Sequence, residues 1–350
     1  MTNPPTTAYS ATVKKLPRSI IEMTVSVSPE VFDAARPHAL EHIGEELELP
    51  GFRKGHAPAN IVAQKAGEAA ILEEMAEHII SRAYPKILVE HKIDAIGRPD
   101  VSVTKLAPGN ALEFTIKVAT VPEVKLPDYM SIARGQNKKR AKVELTDEDI
   151  KKTTEEVRTL SARRIAEKEG KPFDPEGPLP ELTDDFVKTL GDYSSVADFT
   201  EKARGEILKE KERVAKEKHR MGIIEGVLEK TDIDLPEIII EQELDRMTDE
   251  FAADIERMGM ELDKYLEIIK KTREDLRKDW NKDAEKRGKV QLLVAEIARK
   301  ENIEPATEDL EHEMNKLHIL YPNASLERMR AYVDMVLTNE LVFKKLEEAE

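Results

Sequence analysis

Apolar residues recur at steps of three and four through most of residues 183–350, and this spacing predicts helices. It places the apolar side chains on one face of a coil with 3.6 residues per turn. Two long stretches show it best: Phe199, Ala203, Ile207, Val214, Met221, Ile224 and Leu228, and then Ile240, Leu244, Met247, Phe251, Ile255 and Met258. Further helices are predicted over 266–280, 290–297 and 326–336. Turn residues such as Pro236, Gly259, Pro305 and Pro322 separate them. We expect residues 181–350 to form an elongated multi-helix domain with projecting arms.

The first 122 residues combine strands with helices. Residues 20–27 alternate like a half-buried strand, and residues 101–103 and 112–118 do the same. Ser28 and Pro29 predict a helix start, with apolar positions continuing to Leu47. A second helix is predicted over 72–87, kinked near Pro85. The fold class is therefore α+β but mostly α, with a small α+β domain over 11–122.

Residues 123–180 have the composition of a linker. Residues 146–149 resemble a capping box, so a helix should run from Thr146 to about Ala166. Several prolines and two glycines then make 166–180 a hinge. One basic run contains five cations and no acid: Arg134, Lys138, Lys139, Arg140 and Lys142. It is either a solvated linker or a local RNA contact whose affinity would fall with salt.

Composition narrows the class of protein. The chain has 350 residues, of which 36% are charged and 5% aromatic, with a net charge of −15. This balance favours long solvated helices and argues against general affinity for nucleic acid. There is no cysteine, which excludes disulfides and thiolate chemistry. Neither a signal peptide nor an apolar membrane span is recognisable, so we expect a cytoplasmic protein that does not bind membranes.

Catalytic and metal-binding motifs are not evident. No phosphate-binding glycine loop, nucleophile elbow or zinc-protease motif occurs. His312-Glu313 and His318 resemble such a motif, but six residues separate the two histidines, so on a helix they face different sides. We therefore predict no catalytic residue, no metal and no cofactor.

The loop over residues 51–58 differs from the rest of the chain. Gly51, Gly55 and Pro58 favour a turn, and between them lie Phe52, Arg53 and Lys54 with no acid. An exposed Phe52 would need a partner, whereas in an ordinary basic turn it would pack in the core. Arg53 and Lys54 could meet RNA phosphates or an acidic protein surface.

This loop resembles the ribosome-docking signature of trigger factors, which is close to Gly-Phe-Arg-x-Gly-x-x-Pro. Residues 128–129 and 143–149 resemble the family's linker, and residues 179–186 resemble the entry to its helical chaperone domain. Residues 234–237 and 241–247 resemble the start of one chaperone arm. The resemblance covers nearly the whole chain in order.

The resemblance implies an ATP-independent chaperone that docks on the large ribosomal subunit beside the exit tunnel and holds nascent or unfolded polypeptides. Carried over by position, the docking residues are Gly51, Phe52, Arg53, Lys54 and Gly55, in contact with ribosomal protein and RNA. His56 stands at a variable position and receives no role. The family also tends to self-associate away from the ribosome, which makes a homodimer possible.

One departure concerns prolyl isomerisation. Family members normally carry a domain of about 100 residues, similar to FK506-binding isomerases, after the linker helix. Here 14 residues separate Arg164 from Leu179, too few for such a domain. The isomerase activity is therefore expected to be absent.

A holding chaperone needs adaptable apolar surface, and unbranched methionines suit that role. The candidates for client contact lie in the predicted arms: Met247, Met258, Met260, Met314 and Met329. For each methionine taken singly, packing in the core is the favoured interpretation, and client contact is a hypothesis for the set.

Three alternatives remain at the level of sequence. A peptidyl-prolyl isomerase is disfavoured by the missing domain. A helical scaffold or adaptor would leave the loop of Phe52, Arg53 and Lys54 unexplained. A periplasmic chaperone would need a signal sequence.

Overall fold

A computed structural model describes residues 9–48, 50 and 52–350, and its N-terminal part is an α+β module. Four strands and four helices follow one another in the chain: β1 (Tyr9–Leu16), β2 (Ile20–Val27), α1 (Pro29–Asp33), α2 (Arg36–Glu46), α3 (Ala59–Ala66), α4 (Glu68–Glu90), β3 (Ala95–Lys105) and β4 (Leu112–Thr120). The predicted strands are confirmed as parts of β2, β3 and β4. The strand β1 was not predicted from the sequence.

The four strands form one antiparallel sheet in the order β1-β2-β4-β3. Alternate residues of β2 and β4 point into the core, where Met23, Val25, Phe114 and Ile116 are completely buried. Helix α4 covers this face with Ile71, Met75 and Ile87 among others. The module therefore has a conventional two-layer core of sheet and helix.

The first predicted helix is divided in two. Helix α1 ends at Asp33, and α2 begins at Arg36 with Pro37 in its first turn. Proline has no N–H to donate and is best accommodated in the first turn of a helix, which explains the new start. The sequence pattern continues the helix to Leu47, but in the structure α2 ends at Glu46 and Leu47 has an extended backbone.

Beyond residue 120 all regular structure in the described residues is helical. Nine helices follow in order: α5 (Tyr129–Asn137), α6 (Asp147–Lys168), α7 (Asp184–Leu190), α8 (Val196–Leu228), α9 (Glu237–Arg257), α10 (Leu262–Ile269), α11 (Arg273–Glu301), α12 (Thr307–Leu320) and α13 (Leu326–Glu347). The fold class, α+β and mostly α, is confirmed. The capping box of Thr146 and Asp149 starts α6 as predicted. The single helix predicted over 266–280 is wrong, because Lys270 adopts a left-handed conformation with φ 55° and ends α10.

The chain packs into two compact units, each of which combines two separate segments of the sequence. One unit contains the described residues up to 125 and residues 232–293, and the other contains residues 126–231 and 294–350. The domain boundaries predicted from the sequence stay a prediction. None of the helices in the described ranges is long and apolar enough to cross a membrane.

Each unit has its own helical packing. In the first, α9, α10 and α11 enclose a small cluster of Ile255, Leu262, Leu266 and Leu276, with Phe251 meeting Trp280 edge to face at 5.4 Å. In the second, α5 packs against α8 and α13, burying Tyr129 and Ala133. The N-terminal part of the predicted linker is thus a packed helix.

Candidate functional site

The loop predicted from the sequence connects α2 to α3 and is held by a close approach between them. Gly44, in the last turn of α2, is buried, and an added Cβ would lie 3.3 Å from Val62 of α3. Val62 is itself 1% exposed. A small residue at position 44 therefore lets the two helices pack tightly enough to fix both ends of the loop.

Within the loop, two backbone hydrogen bonds fix a turn. The N–H of His56 donates to the carbonyl of Arg53 at 2.9 Å, and the N–H of Gly55 donates to the carbonyl of Gly44 at 3.2 Å. Gly55 has a φ of 79°, a conformation that glycine adopts without strain. The turn residues thus stand in a defined geometry relative to α2.

The side chains between the glycines face solvent. Phe52 is 43% exposed, and Arg53 and Lys54 are exposed. Over the described part of the chain, no carboxylate lies within ion-pairing distance of either cation. Gly51, also assigned to docking, lies outside the described residues. The structure therefore presents an aromatic ring and two unpaired cations together, and Phe52 is not packed in the core.

The five methionines chosen as client contacts have different environments. Met258 is 76% exposed and Met260 is 37% exposed, in the turn between α9 and α10. Met247 and Met314 are partly buried. Met329 is only 4% exposed, so it packs in the interior, and its placement favours the core alternative.

Several strongly exposed apolar residues at the connection between α12 and α13 were not predicted from the sequence. Ile319, Leu320 and Tyr321 are 80%, 70% and 61% exposed, and Leu326 is 58% exposed. In the other unit, Ile268 of α10 is 67% exposed near Met258 and Met260 in the chain. The signal was present, because three consecutive apolar residues at 319–321 cannot all lie on one helix face.

The histidines that resemble a zinc motif are separate surface residues. His312 lies 3.6 Å from Glu313 and is well exposed, and His318 is also exposed on α12. Among the described residues, no group of three or more His, Asp and Glu side chains is arranged to hold a metal ion.

The packed helices and the fixed turn present apolar surface and positive charge, which are typical of a binding protein. Comparison with known families shows which kind of binding protein this is. The family described as "Bacterial trigger factor protein (TF)" matches residues 9–157, and "Bacterial trigger factor protein (TF) C-terminus" matches residues 195–348. The chain belongs to the trigger factor family, and its general role is that of a ribosome-associated chaperone.

Individual relatives agree over most of the chain. A trigger factor of Bacillus pumilus is 25% identical over 389 residues, covering 88% of this chain and 91% of that protein. One of Clostridium botulinum is 22% identical and covers 96% of this chain and 98% of its own. A solved structure described as "Promiscuous Substrate Recognition in Folding and Assembly Activities of the Trigger Factor Chaperone" has a TM-score of 0.53 at 18% identity. It covers 97% of this chain and 100% of that chain, and it supports the fold.

Proposed function

We propose that this chain docks on the large ribosomal subunit near the exit tunnel through Phe52, Arg53 and Lys54, and holds emerging polypeptides without ATP. The observation that carries the proposal is the exposed loop itself. Phe52 is 43% exposed, beside two cations that have no acidic partner among the described residues. The site of work is then the cytoplasm, where ribosomes meet new chains.

The three side chains suit a mixed surface of protein and RNA. Burying a phenylalanine fully is worth about 1.5–3 kcal/mol, and part of that remains available because Phe52 is still partly exposed. Arg53 can bind a carboxylate or phosphate with two parallel hydrogen bonds, while Lys54 acts as a point charge. The hydrogen bond between Gly55 and Gly44 reduces the entropy lost when the loop binds.

Client holding is assigned to exposed apolar residues within each unit. In the first unit these are Met258, Met260 and Ile268, and in the second they are Ile319, Leu320, Tyr321 and Leu326. Large apolar side chains in water mark interaction sites when they cluster. Flexible methionines and a mixed aliphatic and aromatic surface favour many weak contacts over one specific contact. The same exposed surface supports a homodimer away from the ribosome.

We also propose that prolyl-isomerase activity is absent. The two family matches leave only residues 158–194 between them, and these residues form the end of α6, the connection and α7. The Bacillus pumilus alignment spans 389 residues but uses 88% of this 350-residue chain, so the relative carries additional residues. A proline-peptide isomerisation assay should give the uncatalysed rate, and acceleration by the purified chain would contradict the proposal.

The docking proposal is tested by co-sedimentation with salt-washed ribosomes. The variant Phe52→Ala/Arg53→Ala/Lys54→Ala should bind at least about 30-fold more weakly, because truncating an interface anchor costs about 2 kcal/mol or more. A matched control, Lys65→Ala/Lys86→Ala/Val89→Ala, removes two cations and one exposed apolar side chain from α3 and α4. It should bind like the unmodified chain. Equal sedimentation of the docking variant, or no sedimentation of the unmodified chain, would refute the docking assignment.

A further inference from the structure

The end of the basic run, Arg140 and Lys142, lines a groove in the second unit. One side of the groove is the segment Arg140–Val143, which follows α5, and the other side is a stretch of α8. The groove has a volume of about 800 Å³ and is lined by Arg140, Ala141, Lys142, Val143, Lys209, Glu212, Arg213, Ala215 and Lys216. Five of these residues are cations and one is an acid, in a chain whose net charge is −15. The groove is therefore a local reversal of the charge of the molecule.

The cations of the groove differ in their partners. Lys209 pairs with Glu206 at 2.8 Å, and Arg213 pairs with Glu210 and Glu217. Arg140, Lys142 and Lys216 are exposed, and no carboxylate of the described residues lies within salt-bridge distance of them. Lys138 and Lys139, just before the groove, share this condition. Glu212 in the lining and Glu340, which interacts with Lys216 through space, offset only part of this positive charge. An anionic ligand would relieve the repulsion that remains among the cations.

The segment that carries these cations is fixed at both ends. At its start, Asn137 donates through Nδ2 to the carbonyls of Leu346 and Ala349, each at 2.9 Å, and its Oδ1 lies 2.9 Å from Nε2 of His219. Because Oδ1 can only accept, the Nε2 of His219 must carry the proton. At its end, Lys211 of α8 donates to the carbonyl of Glu144 at 2.9 Å. The groove is thus a built feature.

We propose that this groove binds the phosphate backbone of RNA. Arg140 and Lys142 line the groove opposite α8, and Lys138 and Lys139 precede them in the chain. Such a row of cations fits an extended polyanion with a charge at every unit. No aromatic side chain lines the groove, so bases cannot stack there, and recognition is independent of sequence. The surface ion pairs of Lys209 and Arg213 are each worth at most about 1 kcal/mol, and phosphates can replace them. That the RNA is ribosomal follows from the proposed ribosome docking, and the rest of the inference does not depend on that proposal.

The test is fluorescence anisotropy with a labelled single-stranded oligouridylate. Contact with three or four phosphates gives a slope of log K against log salt of about −2 to −3 for a single strand. Affinity should therefore fall roughly 20- to 50-fold between 50 and 200 mM salt. The variant Arg140→Gln/Lys142→Gln/Lys216→Gln should lose most of the binding and flatten this slope. A control, Arg163→Gln/Arg164→Gln/Lys168→Gln, removes the same charge from exposed positions of α6 and should bind like the unmodified chain.

Three results would overturn the inference: undetectable binding at 50 mM salt, equal loss in both variants, or a polyglutamate peptide binding as tightly as the RNA. The last result would indicate an acidic protein partner. Adding the groove substitutions to the docking variant of Phe52, Arg53 and Lys54 should lower its affinity for the oligonucleotide by the same factor as in the unmodified chain. RNA binding that depends on the groove, together with ribosome binding that ignores the docking loop, would refute the proposed docking and support this inference.

Discussion

Single glycines set the geometry of the proposed docking loop. Gly55 has a φ of 79°, and an added Cβ would meet only Cγ of Glu45, at 3.9 Å. Space is therefore available at position 55, and the obstacle to another residue is the backbone conformation. Placing a residue with a side chain in the left-handed backbone conformation costs roughly 1–2 kcal/mol. The loop would avoid this strain by adopting a different backbone conformation. The carbonyl of Gly44 would then lose the N–H of residue 55.

Gly55→Ala should therefore lower both stability and docking. We expect the free energy of unfolding to fall by roughly 1–2 kcal/mol, measured by denaturant titration, and ribosome binding to weaken several-fold. Gly109→Ala is the matched control, because Gly109 has a φ of 64° in the β3–β4 connection with no atom near its added Cβ. It should lose similar stability and keep full ribosome binding. Similar docking by the two variants would show that the shape of the loop does not matter.

The sequence indicates some candidate residues more clearly than others, for physical reasons. Phe52, Arg53 and Lys54 are contiguous and bounded by glycines, so a local pattern is enough to propose them, and their role in docking stays a prediction. Exposure of Ile319 and Leu320 depends on where α12 ends and on what packs beside it. A methionine at helical spacing fits the core and the surface equally well, so Met329 and Met258 were indistinguishable in sequence.

At the scale of elements, helix α9 is tied to the sheet of the first unit. The turn between β1 and β2 reaches the segment before α9: Ser19 donates to the carbonyl of Asp234 through Oγ at 2.6 Å and to Oδ2 through its N–H at 3.2 Å. Arg18 pairs with Glu237. At the other edge strand, β3, Gly97 lies under Ile238, whose Cδ1 would be 2.1 Å from an added Cβ. The base of this helix is therefore held at two points.

A double-mutant cycle tests the contact between β3 and α9. Gly97→Ala should cost about 2–4 kcal/mol, combining the strain of a positive φ with overpacking against Ile238. Ile238→Val removes the clashing Cδ1 and should itself cost about 0.5–1.5 kcal/mol. In the double variant the overpacking is relieved while the strain remains, so the two effects should be coupled by at least about 0.5 kcal/mol. Additive losses in urea titrations would mean that α9 does not pack on β3.

Element boundaries show where periodicity is insufficient. Strand β1 was missed because Thr12, Lys14 and Lys15 make the segment polar, and its apolar Tyr9, Ala11 and Val13 gain burial only from the fold. The break between α10 and α11 has no glycine or proline to mark it, since Lys270 itself adopts the left-handed conformation. By contrast, the capping box of Thr146 is a local device and predicted the start of α6 correctly.

At the scale of the whole molecule, two partly buried histidines make stability depend on pH. Burial, with Arg82 and His38 nearby, lowers the pKa of His78 in the first unit. In the second unit, burial and then Arg140 lower the pKa of His219. In both cases the folded protein favours the neutral imidazole. The unfolded chain has no such environment, and its histidines titrate near 6.5.

The sign of the pH effect follows from these directions. Below pH 6.5 the unfolded state binds protons that the folded state does not, so the free energy of unfolding should fall until pH reaches the lowered pKa of the folded protein.

Trp280 is the only tryptophan of the chain and lies in the same unit as His78, so its fluorescence reports unfolding of that unit. Urea titrations at pH 8, 7, 6 and 5 should show stability constant at high pH and decreasing below 6.5. His78→Gln should reduce this decrease, whereas His91→Gln, at a residue exposed at the end of α4, should leave it unchanged. Stability that is constant or rises as pH falls from 7 to 5 would contradict the neutral state of His78.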